Sequence, residues 1–135
     1  MKLDDIPLFT ALRARMAWLS ERQKLLAENI ANADTPGYLA RDLKPVDFQQ
    51  LVEKHSGGSG LMLTNARHLR GGGAGQGFDF KPVENPGAEV KPSGNSVSIE
   101  QEMMKLGQTQ MEYETATGLY RKQSMLLKLA LGRSN

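Results

Sequence analysis

Cysteine is absent from this chain of 135 residues. That excludes disulfides, thiolate metal sites and cysteine nucleophiles together, and it leaves the compartment open. Aromatic residues are scarce at 6% and hydrophobic residues reach only 39%, so the single domain that this length allows has a thin core. Long apolar runs are missing too. Asp4, Asp5, Arg13, Arg15, Glu21 and Arg22 interrupt the N-terminal segment, and no later stretch is long enough to span a bilayer. The expectation is a chain with neither a cleavable signal peptide nor a direct membrane insertion. Charge of one sign is also lacking, because 17 basic residues against 15 acidic ones leave a net +2 spread along the sequence. That balance is too weak and too diffuse for a nucleic-acid partner.

What is present is a pair of long amphipathic segments. Between Asp4 and Ala33 the residues Phe9, Leu12, Met16, Leu19, Leu26 and Ile30 recur at alternating steps of three and four, with Gln23 in the one polar gap. That is a heptad seam, and it predicts an N-terminal helix about 45 Å long at 1.5 Å per residue. Asp4 or Asp5 is placed to cap its start, and Pro7 falls in the first turn, where a missing donor costs little. The C-terminal third repeats the pattern at Ile99, Met103, Leu106, Gln110, Tyr113, Thr117, Tyr120, Ser124, Leu127 and Leu131. Ser98 and Gln101 have the spacing of a capping box ahead of it. Glu100, Glu102, Glu112 and Glu114 lie in its first half and Arg121, Lys122 and Lys128 in its second. That asymmetry suits the helix dipole, and it also suits end-to-end matching of stacked subunits.

The second helix carries a further row at strict seven-residue intervals: Met104, Met111, Gly118, Met125 and Gly132. It therefore has two contact faces. One can meet the N-terminal helix, and the other needs a partner for which flexible methionines and small glycines are suited. The predicted fold is mainly α, with the N- and C-terminal helices pairing as an antiparallel coiled coil. Three regions follow: an N-terminal helix over 1–34, a turn and Gly/Pro-rich, largely irregular middle over 35–97, and a C-terminal helix over 98–135. Most of the 14 glycines and five of the six prolines fall in the middle region, and the run from Gly71 to Gly77 reads as a flexible linker. Val46, Phe48, Leu51 and Val52, and then Phe78, Phe80 and Val83, can form short elements there without enough bulk for a core. Burial this thin predicts a monomer that is marginal alone, with termini that order fully on assembly.

The segment joining the first helix to the middle carries the most information. In Asn29-Ile30-Ala31-Asn32-Ala33-Asp34-Thr35-Pro36-Gly37-Tyr38, Thr35 is driven out of the α region by the proline after it, Pro36 fixes φ near −65°, and Gly37 tolerates positive φ. The expected result is a type II turn. Asn29 and Asn32 precede it on one helix face, where their amides can satisfy carbonyls of the last turn or of a neighbouring chain.

Catalytic chemistry finds little support. His55 and His68 stand 13 residues apart among glycines and serines, a poor frame for groups that must be held to tight tolerance. Two isolated histidines lack a third local metal ligand, and the glycine run lacks the Gly-Lys-Ser/Thr step of a phosphate loop. No catalytic, cofactor-binding or metal-binding residue is assigned.

The stretch from Asn29 to Tyr38 resembles the Ala-Asn-x-x-Thr-Pro-Gly-Tyr signature of the bacterial flagellar rod, hook and hook-filament junction family. Within that family, the short length, Tyr38-Leu39-Ala40-Arg41-Asp42 followed by Asp47-Phe48, and the ending from Lys122 to Leu131 look most like the proximal rod subunits. Leu43-Lys44-Pro45 departs from them as a small insertion. The resemblance implies a structural subunit of the basal-body rod in the periplasmic space, carried there by the flagellar type III export apparatus and polymerised through its terminal helices. It implies as partners the other rod subunits and an adaptor at the inner-membrane ring, with no enzyme activity. By the same resemblance Asn29, Asn32, Thr35, Pro36, Gly37 and Tyr38 shape the exit from the inner helix and touch the next subunit. The methionines Met104, Met111 and Met125 meet neighbours. The alternatives are another rod subunit of the family and a helical adaptor or chaperone that never joins an axial assembly.

Overall fold

The computed structural model describes residues 6–47, 78–84 and 89–132. Asp4 and Asp5, the segment from Phe48 to Val52, both histidines and the Gly71–Gly77 run lie outside the described residues. The chain order is α1 (Pro7–Ala31), β1 (Arg41–Leu43), β2 (Pro82–Glu84) and α2 (Ile99–Ala130). The architecture is mainly helical, with two long helices and one small sheet.

Helix α1 begins with Pro7 in its first turn, as the sequence leads one to expect, but its N-cap is Ile6 in an extended conformation without a side-chain cap. It runs for 25 residues, about 37 Å, and so is shorter than its apolar pattern predicts. Its buried residues form two stripes, not one. Phe9, Leu12, Leu19 and Leu26 follow the heptad seam, while Ala14, Trp18, Leu25 and Asn29 lie beside it. The second stripe exists because the chain folds back after the turn. β1 packs along α1, and Leu43 joins Trp18, Leu19, Leu25 and Ala116 in one apolar cluster flanked by Met16, Val46, Phe80 and Tyr113.

β1 pairs with β2 antiparallel in the register Arg41↔Glu84, Asp42↔Val83 and Leu43↔Pro82. Three-residue strands are not stable by themselves. This ribbon is held to α1 by side chains: the Arg22 guanidinium grips both oxygens of Asp42 at 2.9 Å, and the Trp18 indole N–H donates to the Lys44 carbonyl at 3.3 Å. Leu43 and the Lys44 carbonyl are thus part of the packing around Trp18.

Helix α2 is 32 residues long, with Glu100 and Glu102 in its first turn and Lys128 in its last, in accord with the dipole. The expected capping box is not made. Ser98 is the N-cap, but its hydroxyl donates to the Glu100 carboxylate at 3.2 Å instead of accepting from the helix. The Glu100 carboxyl is held below the ordinary range first by its own backbone amide and then by Ser98.

Contacts between the helices run in opposite chain order. Phe9 meets Tyr120 edge to face at 5.2 Å, Arg15 pairs with Glu112 at 2.8 Å, and the Thr117 hydroxyl lies 3.5 Å from the Met16 sulfur. Along α2, Leu106, Tyr113, Tyr120 and Leu127 are half-buried. The alternate row differs from the expected one by a single residue. Glu102, Thr109 and Ala116 are buried, whereas Met103 and Leu131 of the expected row are exposed at 55% and 69%; Ile99, at the head of the Leu106 row, is also exposed, at 44%. A step of one residue turns a helix by about 100°. Bulk decides it: against Trp18 and Leu19 the small side chain of Ala116 fits, and α2 approaches on its small and polar row.

Candidate functional site

Two turns meet where α1 ends. The α1 C-terminus is closed by Asn32, whose side-chain amide donates to the Glu28 carbonyl at 2.8 Å, while its own carbonyl oxygen accepts from the Thr35 amide at 3.0 Å. The Thr35 hydroxyl reaches the Asn32 side chain at 3.2 Å. Thr35 to Tyr38 then form the expected turn. Gly37 takes φ +71°, and the Tyr38 amide donates to the Thr35 carbonyl at 3.3 Å. Positive φ at the third turn position after proline is the mark of type II.

The second turn spans Lys91 to Asn95. The Gly94 amide donates to the Lys91 carbonyl at 2.8 Å, the Lys91 amide to the Asn95 carbonyl at 2.8 Å, and Gly94 takes φ +78°. This is a three-residue hairpin turn closed by a glycine bulge. It sits directly on the first. The Gly37 amide donates to the Ser93 carbonyl at 3.1 Å, and a Cβ on Gly94 would lie 3.3 Å from the Gly37 Cα.

Buried polar groups weld the two turns together. Asn95, 1% exposed, donates to the carbonyls of Asn32 and Thr35 at 2.9 and 2.7 Å and accepts from the Val97 amide at 2.7 Å. Ser96 receives the Ala40 amide on its hydroxyl at 2.8 Å and sends its own amide to the Tyr38 carbonyl at 3.0 Å. Ala33, Ala40 and Val97 fill the interior beneath Tyr38. The carbonyls of Asn32, Thr35 and Tyr38 and the amides of Ala40, Ser96 and Val97 thereby gain partners, which is the condition for packing a loop against a helix end.

Asn29 stands at the centre. Its amide donates to the Arg41 carbonyl and to a Glu102 carboxylate oxygen, both at 2.7 Å, and its oxygen accepts from the Arg41 amide at 3.0 Å and the Tyr38 hydroxyl at 3.2 Å. Both donors and both lone pairs are used. Glu102 is only 3% exposed, and its other oxygen accepts from the Lys105 ammonium at 2.8 Å. One side chain thereby joins α1, the post-turn strand and α2.

A second polar contact lies alongside. Burial of the Asp42 carboxyl favours its neutral form, but the hydrogen bonds and charge of Arg22 outweigh that, so the carboxyl sits below the usual range. The same hydrogen bond raises the Arg22 guanidinium against its own desolvation. Arg22 also lies over the Trp18 ring at 5.3 Å.

The turn residues Asn29, Asn32, Thr35, Pro36, Gly37 and Tyr38 are thus brought together, with Asn32 satisfying a last-turn carbonyl and Asn29 turned inward. Thr35, Pro36 and Gly37 remain exposed. Sequence reading missed Asn95, Ser96, Gly94 and Glu102 as members of this junction, as well as the Arg22–Asp42 pair. A Pro-Ser-Gly-Asn run signals a turn, but no spacing signals that the turn docks 60 residues back along the chain. The other assigned row lies elsewhere: Met104, Met111 and Met125 are exposed at 73%, 64% and 73%. Beside Met111, an open groove of about 400 Å³ runs between the helices past Leu12, Arg15, Glu112, Ala116 and Leu119. Among the described residues no group of three or more His, Cys, Asp or Glu is placed to hold a metal ion, and no helix is long and apolar enough to cross a membrane.

Comparison with known proteins agrees with this layout. Residues 10–38, which span most of α1 and the first turn, match the family model described as flagella basal body rod protein. Over 133 residues the chain is 31% identical to the flagellar basal body rod protein FlgB of Agrobacterium fabrum, covering 97% of each chain. It is 32% identical over 93 residues to FlgB of Bacillus subtilis, covering 69% of this chain and 68% of the relative. It is 32% identical over 110 residues to FlgB of Salmonella typhimurium, covering 70% and 71%. With a match that runs nearly end to end, and with the Thr-Pro-Gly turn and its helix inside the family's own segment, the chain belongs to the flagellar basal body rod proteins.

Proposed function

We propose that this protein is a structural subunit of the proximal rod of the flagellar basal body and that it builds the rod through its two terminal helices. It is not an enzyme. Its near full-length likeness to a rod protein carries this reading, and the exposed apolar side of α2 explains how assembly is driven. Met104, Met111 and Met125, with Met103, Ile99 and Leu129, place large apolar side chains in water, a cost that a packed neighbour removes. In the assembled rod the helix pair takes the form of an antiparallel coiled coil. Phe9, Leu12, Met16, Leu19, Leu26 and Ile30 face Leu106, Tyr113, Tyr120 and Leu127, while the methionine row meets adjacent subunits. Ile99 and Met103, exposed in the single chain, belong with the outer contacts.

The exposed tip of the turn at Thr35, Pro36 and Gly37 touches the next subunit along the axis. The partners are other rod subunits and an adaptor at the inner-membrane ring. The route is the flagellar type III export apparatus, into the periplasmic space. A helical adaptor or chaperone of fixed small stoichiometry is less consistent with a surface suited to repeated heterologous contacts.

Electron microscopy of isolated basal bodies tests the assignment. The chain should be found in density at the base of the rod, with both terminal helices against neighbouring subunits. Basal bodies complete and motile in a deletion strain would refute it.

A further inference from the structure

The apolar packing between the helices is close to degenerate under a slip of seven residues. On α2, Leu106, Tyr113, Tyr120 and Leu127 repeat at that interval in one row, and on α1 Leu12, Leu19 and Leu26 do the same. Sliding one helix along the other by a heptad, about 10.5 Å, replaces one bulky apolar side chain by another. Hydrophobic burial of this kind resists separation of the helices more than it resists displacement along their axis.

The polar row breaks that degeneracy. It reads Glu102, Thr109, Ala116 and Gln123 at the same interval, so each position differs chemically from the next. Only Glu102 offers a carboxylate to the buried Asn29 amide, and the two meet at 2.7 Å with both residues less than 4% exposed. A slip of one heptad toward the α2 C-terminus brings Thr109 opposite Asn29, replacing the carboxylate with a shorter, neutral hydroxyl that donates to the Lys105 carbonyl at 2.7 Å and offers the amide only an uncharged lone pair. Asn29 cannot swing to another partner, because its remaining capacity is used by Arg41 and Tyr38.

We propose that Asn29 and Glu102 form a register pin, a buried polar pair that selects one axial alignment of the two helices from several that apolar packing alone would accept. The pin also ties that alignment to the turn, since Asn29 holds Arg41 and Tyr38 at the same time. Buried polar pairs serve this purpose in helical assemblies at some cost in stability. The pin acts within one chain and does not depend on the assembly reading above.

The absence of cysteine allows a direct test on the full-length chain. Met16→Cys with Thr117→Cys reports the observed register, because those two side chains touch. Met16→Cys with Gln110→Cys or with Ser124→Cys reports a slip of one heptad to either side. Only intramolecular cross-links in dilute solution are scored. With Asn29 and Glu102 in place, the observed pair should close at least about tenfold faster than either slipped pair. In an Asn29→Leu, Glu102→Leu background the preference should fall to within about threefold, while Glu102→Gln, which keeps an acceptor for the amide, should restore it. A tenfold preference that survives the double replacement overturns the pin. Should the double replacement unfold the chain, Glu102→Met carries the same test, and a retained preference there is equally fatal. Loss of helical circular dichroism in both backgrounds also overturns it, because the pair would then hold the fold together instead of choosing among alignments.

Discussion

Helix α1 buries eight of its 25 residues, and seven of those are apolar; α2 buries three of its 32, and they are a glutamate, a threonine and an alanine. The two helices face each other, yet only one is finished within the chain. Among the described residues α1 is wrapped by α2 on one side and by β1 and the post-turn segment on the other, whereas α2 packs mainly on α1, with Ala116 reaching Leu43. The surplus apolar surface of α2 lies outward, at Met104, Met111, Met125 and Leu129. On the assembly proposed above, foldedness and rod contacts fall on different helices, and substitutions should separate them.

The largest expected effect is in the α1 core. Leu19, fully buried between α2 and β1, should cost about 2–5 kcal/mol on replacement by alanine, read as a shift in denaturation midpoint of the isolated chain. Met104→Ala should change that midpoint by less than about 0.5 kcal/mol while impairing rod formation, scored by motility and recovery of basal bodies. Equal costs for the two would break the division between the helices.

Next comes the junction. Gly94→Ala places a side chain at φ +78° and 3.3 Å from the Gly37 Cα, and Gly37→Val forces a β-branched residue to φ +71°. Each should destabilise by about 1–3 kcal/mol. Their effects should be far from additive in a double variant, because both loosen the same contact between turns. Strict additivity would mean that the turns do not support one another.

How much of this was legible beforehand differs between the same two regions. The α1 seam, the type II turn and the exposed methionine row all follow from local rules: heptad spacing, the Pro-Gly step, and a third row with nothing opposite it. The α2 face did not follow, since apolarity pointed to Met103 and Ile99 while packing chose Glu102, Thr109 and Ala116. Burial of a polar residue is invisible until its partner is known, and Asn29 lies 73 residues from Glu102. The clasp of Asn95 on the first turn escaped for the same reason. A side chain that satisfies distant backbone carbonyls leaves no periodic trace, and in a Pro/Ser/Gly-rich run it looks like solvent-facing loop.

The Arg22–Asp42 pair sharpens the contrast through pH. Its carboxyl is lowered in the folded chain, so the stabilisation is fully present above the unfolded-state value of about 3.9 and is lost as pH falls through the folded value below it. Asp42→Asn should cost about 1–2 kcal/mol at neutral pH. It should also flatten the loss of stability on acidification below the unfolded-state value, where the parent chain takes up a proton on this group. An unchanged acid profile would assign the acid sensitivity to other carboxylates and leave the ribbon held by packing alone.

The smallest effect is the most discriminating. Gly118 lies mid-helix on the outer row of α2, and a methyl group there would meet nothing within 4 Å. In the isolated chain this glycine has no steric justification, and by helix propensity Gly118→Ala should stabilise it by up to about 1 kcal/mol. A position that weakens its own helix while sitting between Met111 and Met125 makes sense if another backbone passes close to it in the assembled rod. The expected result is a helix that melts later but a rod that forms less well, with stability and assembly moving in opposite directions from a single added methyl. Improvement in both would show that the outer row is not closely packed at Gly118, and the division of labour between the two helices would then rest on the methionines alone.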